Sequence, residues 1–187
     1  MSPDAILSGL LSAPPIQLDA LPTEQGIYAL YDHTGTSRYI GITQMGLKRR
    51  IWNYHVGGDD NSHKYSTIYN AGRMFHSRND IQTDKLDGPV AKKLRRLFAR
   101  QHCRAVGIPL PGLDKAELFA IETEVRRLAP AEALSWNNLR GLDAYEPVEA
   151  VDAFLKKILW EPKLLAAVAR QSERWKHRQT MGSLPRN

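Results

Sequence analysis

Residues 26–54 decide how this chain reads: Gly26-Ile27-Tyr28, ten residues, Tyr39-Ile40-Gly41, then Leu47-Lys48-Arg49-Arg50-Ile51 and Tyr54. Ile27, Ala29 and Tyr31 alternate with Tyr28 and Leu30, and Arg38, Ile40 and Ile42 alternate with Tyr39 and Gly41, which is the strand period. Between the two runs, Asp32-His33-Thr34-Gly35 is turn chemistry, with a glycine that accepts positive φ. A hairpin centred between His33 and Thr34 predicts Tyr28 directly opposite Tyr39 on one face, and a one-residue slip would separate them. A helix over about Met45 to Tyr54 follows, with Leu47, Ile51 and Tyr54 as its apolar stripe and Gly57-Gly58 as its end. Arg50 and Tyr54 are four apart and share a side of that helix. Two phenols, a guanidinium and a third phenol then converge at one edge of a small sheet.

Such an array suits phosphodiester chemistry. A tyrosine hydroxyl positions or deprotonates water where its neighbours lower its pKa, and arginine stabilises an anionic phosphoryl transition state with forked donors. A carboxylate is still needed to hold a metal. With their spacing, these residues resemble the GIY-YIG nuclease superfamily. Gly-Ile-Tyr alone reads as an ordinary hairpin strand, but the intact pair arises by chance in roughly one chain in 100,000. The resemblance covers about residues 24–140. It implies an α+β core, a small three-stranded antiparallel sheet flanked by helices, here with extra N- and C-terminal helices. It also implies a metal-dependent endonuclease acting on DNA with Mg²⁺ or Mn²⁺.

Carried over by motif, the resemblance makes Tyr28 the general base or water-orienting group, with Tyr39 and Tyr54 supporting water or phosphate. Arg50 becomes the electrostatic stabiliser. Arg49 is the alternative, because the loop after Gly41 is one residue longer than in many relatives, and Leu47 and Ile51 favour Arg50. Repair-type relatives carry lysine where Ile42 stands, so a phosphate-binding cation is missing there or is supplied by Arg49 or Lys48. His63 lies thirteen residues beyond Arg50, as a histidine does in homing-type members; it contacts phosphate or water, or is a solvated histidine at a helix start.

At 187 residues the chain is long enough to bury a core as one domain with additions. Hydrophobic residues at 42% and charged residues at 25% match a globular protein. A net charge of +6 favours an anionic partner, although the charge is spread along the chain. The single cysteine, Cys103, excludes an internal disulfide and fits a reducing interior, hence a cytoplasmic protein, nucleoid-associated if bacterial. Cys103 has no nucleophile motif around it and reads as a small core residue. No apolar run reaches membrane-spanning length, and the N-terminus lacks the basic region and apolar block of a secretion signal.

Taken in order, residues 1–23 form an accessory segment, with Ile6, Leu7, Leu10 and Leu11 at helical spacing before Pro14-Pro15. After the first core helix comes a polar loop, Gly57 to Ser62, where Asn61 or Ser62 can cap a helix carrying Tyr65, Ile68, Tyr69, Gly72 and Phe75. His76 to Asp87 reads as a loop. Pro89 to Cys103 is a basic amphipathic helix, an insertion at about 88–104 relative to compact family members. Val90, Leu94, Leu97 and Phe98 face inward, while Lys92, Lys93, Arg95, Arg96, Arg100 and Arg104 largely face out. Lys92, Lys93 and Arg96, with Lys48 and Arg49, are the candidate nucleic-acid contacts; the alternative is a solvated helix face.

Arg104 to Leu110 is the third strand. Leu113 to Ala129 is a helix capped by Asp114, with Leu118, Ile121, Val125 and Leu128 as its stripe. Glu122 borders that stripe, where a carboxylate is costly unless it is paired or binds a cation. The run Ala116 to Glu122, followed by Val125 and Pro130, resembles the family's metal-binding helix. Glu122 is therefore the implied metal ligand, with Glu117 and Glu124 as lesser candidates. Asn137 or Asn138 matches the asparagine that often ends the family core; either is otherwise a turn or cap. Residues 141–187 form a helical extension. Val148, Val151, Leu155 and Ile158 stripe one helix, Leu164, Leu165, Val168 and Trp175 the next, and the end is basic.

The rival to an endonuclease is a non-catalytic DNA-binding module on the same fold. A protein-interaction domain with incidental basicity comes third. Restriction, homing, repair, junction-resolving, mobile-element and toxin proteins all use this core with different attachments, and no zinc finger, RING pattern or helix-hairpin-helix repeat occurs here.

Overall fold

The structure, a computed structural model, describes residues 1–58, 63–77, 87–138 and 143–182. The capping predicted for Asn61 or Ser62 and the last residues of the basic tail lie outside these. The chain divides into two compact units. One is Met1–Gly57 with residues 99–142, and the other is residues 58–98 with the chain from Asp143 onward. The basic helix up to Phe98 thus belongs with the C-terminal helices in one unit.

The first unit is an α+β fold around a three-stranded antiparallel sheet. Its strands are β1 (Gly26–Tyr31), β2 (Ser37–Thr43) and β3 (Arg104–Pro109), in the order β2-β1-β3. Central β1 is buried along its whole length. One sheet face presents Ile27, Ala29, Tyr31, Ile40 and Val106 to a core shared with α1 (Pro3–Ser12) and α4 (Lys115–Leu128). Ile6 and Leu10 of α1 and Leu118 and Val125 of α4 are wholly buried, so the N-terminal helix is part of the core. The Tyr31 hydroxyl donates to the Leu10 carbonyl at 2.7 Å. Asp114 caps α4 and exchanges a reciprocal pair of hydrogen bonds with Glu117.

The hairpin register differs from the predicted one. Tyr28 pairs with Gly41 and Leu30 with Tyr39, and the register shifts between Leu30 and Tyr31, where Tyr31 pairs with Ser37. Asp32, almost completely buried, causes this. Its Oδ1 accepts from the Thr34 and Thr36 amides at 2.8 and 3.0 Å and from the Thr34 hydroxyl at 2.6 Å, while its Oδ2 accepts from Arg38 Nε at 2.8 Å. The carboxylate holds a wider turn than a two-residue one, and Arg38 bulges out of β2. The displacement is two residues, so Tyr28 and Tyr39 keep the same face and become diagonal neighbours.

The second unit is helical: α2 (Lys64–Ile68), α3 (Asp87–His102), whose last residues enter the first unit, α5 (Val148–Ile158) and α6 (Pro162–Gly182). Several expectations change here. The helix predicted from Tyr65 to Phe75 stops at Ile68, and a separate 3₁₀ turn covers Gly72–Met74. Asn70 folds the chain back, its Oδ1 accepting from the His76 amide at 2.8 Å and from Arg95. Arg95 points inward, contrary to its predicted exposure, and also donates to the Met74 carbonyl at 3.2 Å. It shares the buried stripe of Ala91, Leu94 and Phe98, so helical geometry overrides its charge. The α3 helix begins at Asp87, two residues ahead of Pro89, which sits in the first turn where proline is tolerated. Val148 and Leu165, predicted inward, are exposed. Trp175 packs on Phe75 with ring centroids 5.0 Å apart. Among the described residues no helix is long and apolar enough to cross a membrane.

Candidate active site

The second face of the sheet carries the site. Tyr28 lies between Gly41 on β2 and Gly107 on β3, its two register partners. A Cβ on Gly107 would press on Leu47 and Leu21 at 3.2 and 3.3 Å. A Cβ on Gly41 would come within 2.6 Å of the Tyr39 ring, so this glycine lets Tyr39 fold back over its own strand. A Cβ on Gly26 would meet the Ile108 carbonyl oxygen at 2.1 Å. The glycines of both tripeptides are thus dictated by close approach.

The helix after β2 covers this face. Its first amides are held by the loop before β1: Leu47 N–H donates to Glu24 O at 2.9 Å and Lys48 N–H to Pro22 O at 2.8 Å. The helix then widens into a π-helix over Arg49–His55, closed by Val56 N–H donating to Ile51 O at 3.2 Å. Sequence reasoning assumed α-helical spacing, which pairs Arg50 with Tyr54. The wider turn brings the residue five positions on, His55, against the phenols. His55 is fully buried, and its Nε2 and the Tyr28 hydroxyl are 2.7 Å apart. The Tyr28, Tyr39 and His55 rings form a triangle with centroids 5.9, 5.6 and 5.7 Å apart. A sequence signal for His55 does exist: it follows Leu47 and Ile51 at four-residue spacing, and all three are completely buried. Tyr54 is half-exposed.

Electrostatics tie in the remaining members. Burial drives the Tyr28 phenol well above its usual range, Tyr39 adds to this, and the Arg50 guanidinium opposes both. The condition of a lowered pKa is therefore not met at Tyr28: Arg50 pulls it down, but burial prevails and the phenol stays protonated, because a phenolate there would be desolvated. Tyr39 is also raised, first by burial and then by the nearby Glu122 carboxylate, with Arg50 pulling the other way. The Glu122 side chain is only 12% exposed and pairs loosely with Arg126 at 3.9 Å. Burial raises its pKa and Arg126 partly offsets that. Tyr28, Tyr39, Arg50 and Glu122 are thus brought together as the sequence reading expected, and His55 joins them.

Asn137 pairs with the free edge of β2, accepting from Ile40 N–H at 3.1 Å and donating to Ile40 O at 2.7 Å, which gives it a positioning role beside Tyr39. Glu117 is used in the α4 cap, and Glu124 pairs with Arg127 at 2.9 Å. His63 belongs to the second unit as the N-cap residue of α2. Lys93 and Arg96 are exposed on α3 and Lys92 is half-exposed; the Lys93 ammonium stands 6.0 Å from the Trp160 ring centroid.

Glu122 fits a divalent cation. It is a poorly hydrated carboxylate beside phenols and a guanidinium, and Mg²⁺ is content with one carboxylate, waters and phosphate oxygens. Among the described residues no three His, Cys, Asp or Glu side chains group as a metal site. Against protein-family models, curated proteins and solved structures, the chain returns no match.

Proposed function

We propose that this protein is a metal-dependent endonuclease of the GIY-YIG type that hydrolyses phosphodiester bonds in DNA. The observation that carries the reading is the 2.7 Å contact between the Tyr28 hydroxyl and His55 Nε2 in a site that also holds Tyr39, Arg50 and Glu122. A buried phenol cannot itself become a stable base, but it can hand its proton to a buried imidazole as it takes one from water. Tyr28 orients and deprotonates the attacking water, and His55 receives the phenolic proton. Tyr39 directs its hydroxyl at the same water or at the phosphate. Arg50 supports the charge that develops on the phosphoryl oxygens, where a fixed donor is worth about 10²- to 10³-fold in rate. Glu122 would hold Mg²⁺ or Mn²⁺, which supplies Lewis-acid polarisation of the phosphate. Lys48 and Arg49, on the same helix as Arg50, and Lys92, Lys93 and Arg96 on α3 are the proposed backbone contacts.

The test is plasmid nicking by purified protein with Mg²⁺ and after chelation. Cutting should require the metal and should be lost in Arg50→Ala and in Glu122→Ala. Wild-type rates in both variants would remove the site assignment. DNA binding without cutting in any divalent ion would instead identify a non-catalytic binding module.

A further inference from the structure

The π-helix turns a second face away from Tyr28. Lys48, Arg49, Trp52 and Asn53, with Thr23, line a cavity of about 320 Å³. That is near the lower end of the roughly 300–1,000 Å³ of small-ligand sites. Its walls are fixed by the Leu47 and Lys48 amides bonded to the residue 22–24 loop. Gly46 approaches the same loop so closely that a Cβ there would meet Thr23 O at 2.2 Å. The Trp52 indole is held by Arg100, whose guanidinium carbon lies over the ring 4.0 Å from its centroid. Trp52 thus packs on Arg100 and also lines the cavity.

The lining combines an indole, two cations, an amide and a hydroxyl. An indole offers a stacking surface, Lys and Arg meet phosphate, and the Asn53 amide can donate to and accept from a base edge. A base inside a duplex has both faces covered by its neighbours and cannot enter such a recess, whereas an unstacked base can. We infer that this cavity holds one nucleotide lifted out of the helical stack on the bound strand, next to the scissile phosphate. The preferred substrate is then DNA with an unpaired or easily unstacked base. This rests on the endonuclease reading, since Arg49 and Arg50 are neighbours and carry the strand from one face of the helix to the other.

The test measures binding in EDTA, where no cutting occurs, to two DNA duplexes that differ only in whether a central 2-aminopurine is paired or extrahelical. Wild-type protein should bind the extrahelical form more tightly by roughly 5- to 150-fold, the worth of stacking one base on an aromatic ring, and should change the 2-aminopurine fluorescence. Trp52→Phe keeps a ring and should retain most of the preference. Trp52→Ala should abolish it while leaving affinity for the paired duplex within about twofold, since phosphate contacts carry that term. Equal affinity of the wild-type protein for both duplexes overturns the inference, as does a preference that survives in Trp52→Ala. The two readings fail separately. A Trp52-dependent preference without Mg²⁺-dependent cutting sinks the nuclease and leaves the cavity, and cutting without the preference does the reverse.

Discussion

Replacing Tyr28 by Phe removes one oxygen from the centre of the site. The ring is fully buried between Gly41 and Gly107, so Phe keeps the packing and opens no large cavity. What is lost is the 2.7 Å bond to His55 together with the phenol's hydrogen bonds to Arg50 and Tyr39. A buried hydrogen bond broken from one side costs about 1–3 kcal/mol. For a chain of this length each kcal/mol moves the melting temperature by about 2–4 °C, so Tm should fall by roughly 2–12 °C. A domain with about 5–15 kcal/mol of stability remains folded at 25 °C after that loss. Nicking should nevertheless fall by about 10²- to 10⁴-fold, the usual worth of a positioned acid–base group. Rate and Tm together therefore separate a chemical role from an unfolding artefact. Pairing the change with His55→Gln sharpens the test. If phenol and imidazole pass one proton between them, Tyr28→Phe/His55→Gln should cut no more slowly than the worse single variant. Losses that multiply in the double variant, or a wild-type nicking rate in Tyr28→Phe, would refute the relay.

Other consequences are open to measurement. Glu122 has a raised pKa in the folded state, so its ionised form costs stability, and that cost appears as pH rises through the folded value. Glu122→Gln should thus melt higher than wild type at pH 8, with the gain vanishing at acid pH. Mg²⁺ should raise the wild-type Tm but not that of Glu122→Gln, by about 2.7 kcal/mol of stability at a hundred times its Kd. For the same reason the acid limb of the nicking–pH profile should lie above the ordinary glutamate value of 4.5. Asp87, completely buried, accepts from Arg170 at 2.7 and 2.8 Å and from Arg174 at 3.0 Å, and chiefly the Arg170 bond holds its pKa below the usual range. Its stabilising effect is present above the unfolded carboxylate pKa and lost as pH falls through the folded one. Asp87→Ala should cost about 1–3 kcal/mol at pH 7, and the cost should shrink as the pH is lowered below the ordinary carboxylate range, read by urea unfolding. Gly26→Ala pushes a methyl into the Ile108 backbone oxygen, while Gly41→Ala meets only the Tyr39 side chain. The first should lower Tm markedly, and the second should lower nicking with the smaller Tm change.

Periodicity and turn chemistry were enough to place all three strands and the capped helix bearing Glu122 with its Leu118 and Val125 stripe, because each is a local pattern that the backbone must satisfy with its own residues. The phenols, the guanidinium and the carboxylate were legible as candidates for a similar reason: residue type limits chemistry. Three decisions were taken elsewhere. The register around Tyr28 came from a buried Asp32 carboxylate that widened the turn, and it kept the phenols on one face only because the shift was even. The inward turn of Arg95 came from packing, which outweighed the outward preference of a charge once Asn70 and the Met74 carbonyl were there to receive it. The partner of Tyr28 came from the Leu47, Ile51 and His55 line of the following helix, where the buried imidazole meets the phenol at 2.7 Å. Sequence offers several residues along one side of a helix; which of them meets a given side chain is decided by how that helix packs, and is a property of the fold.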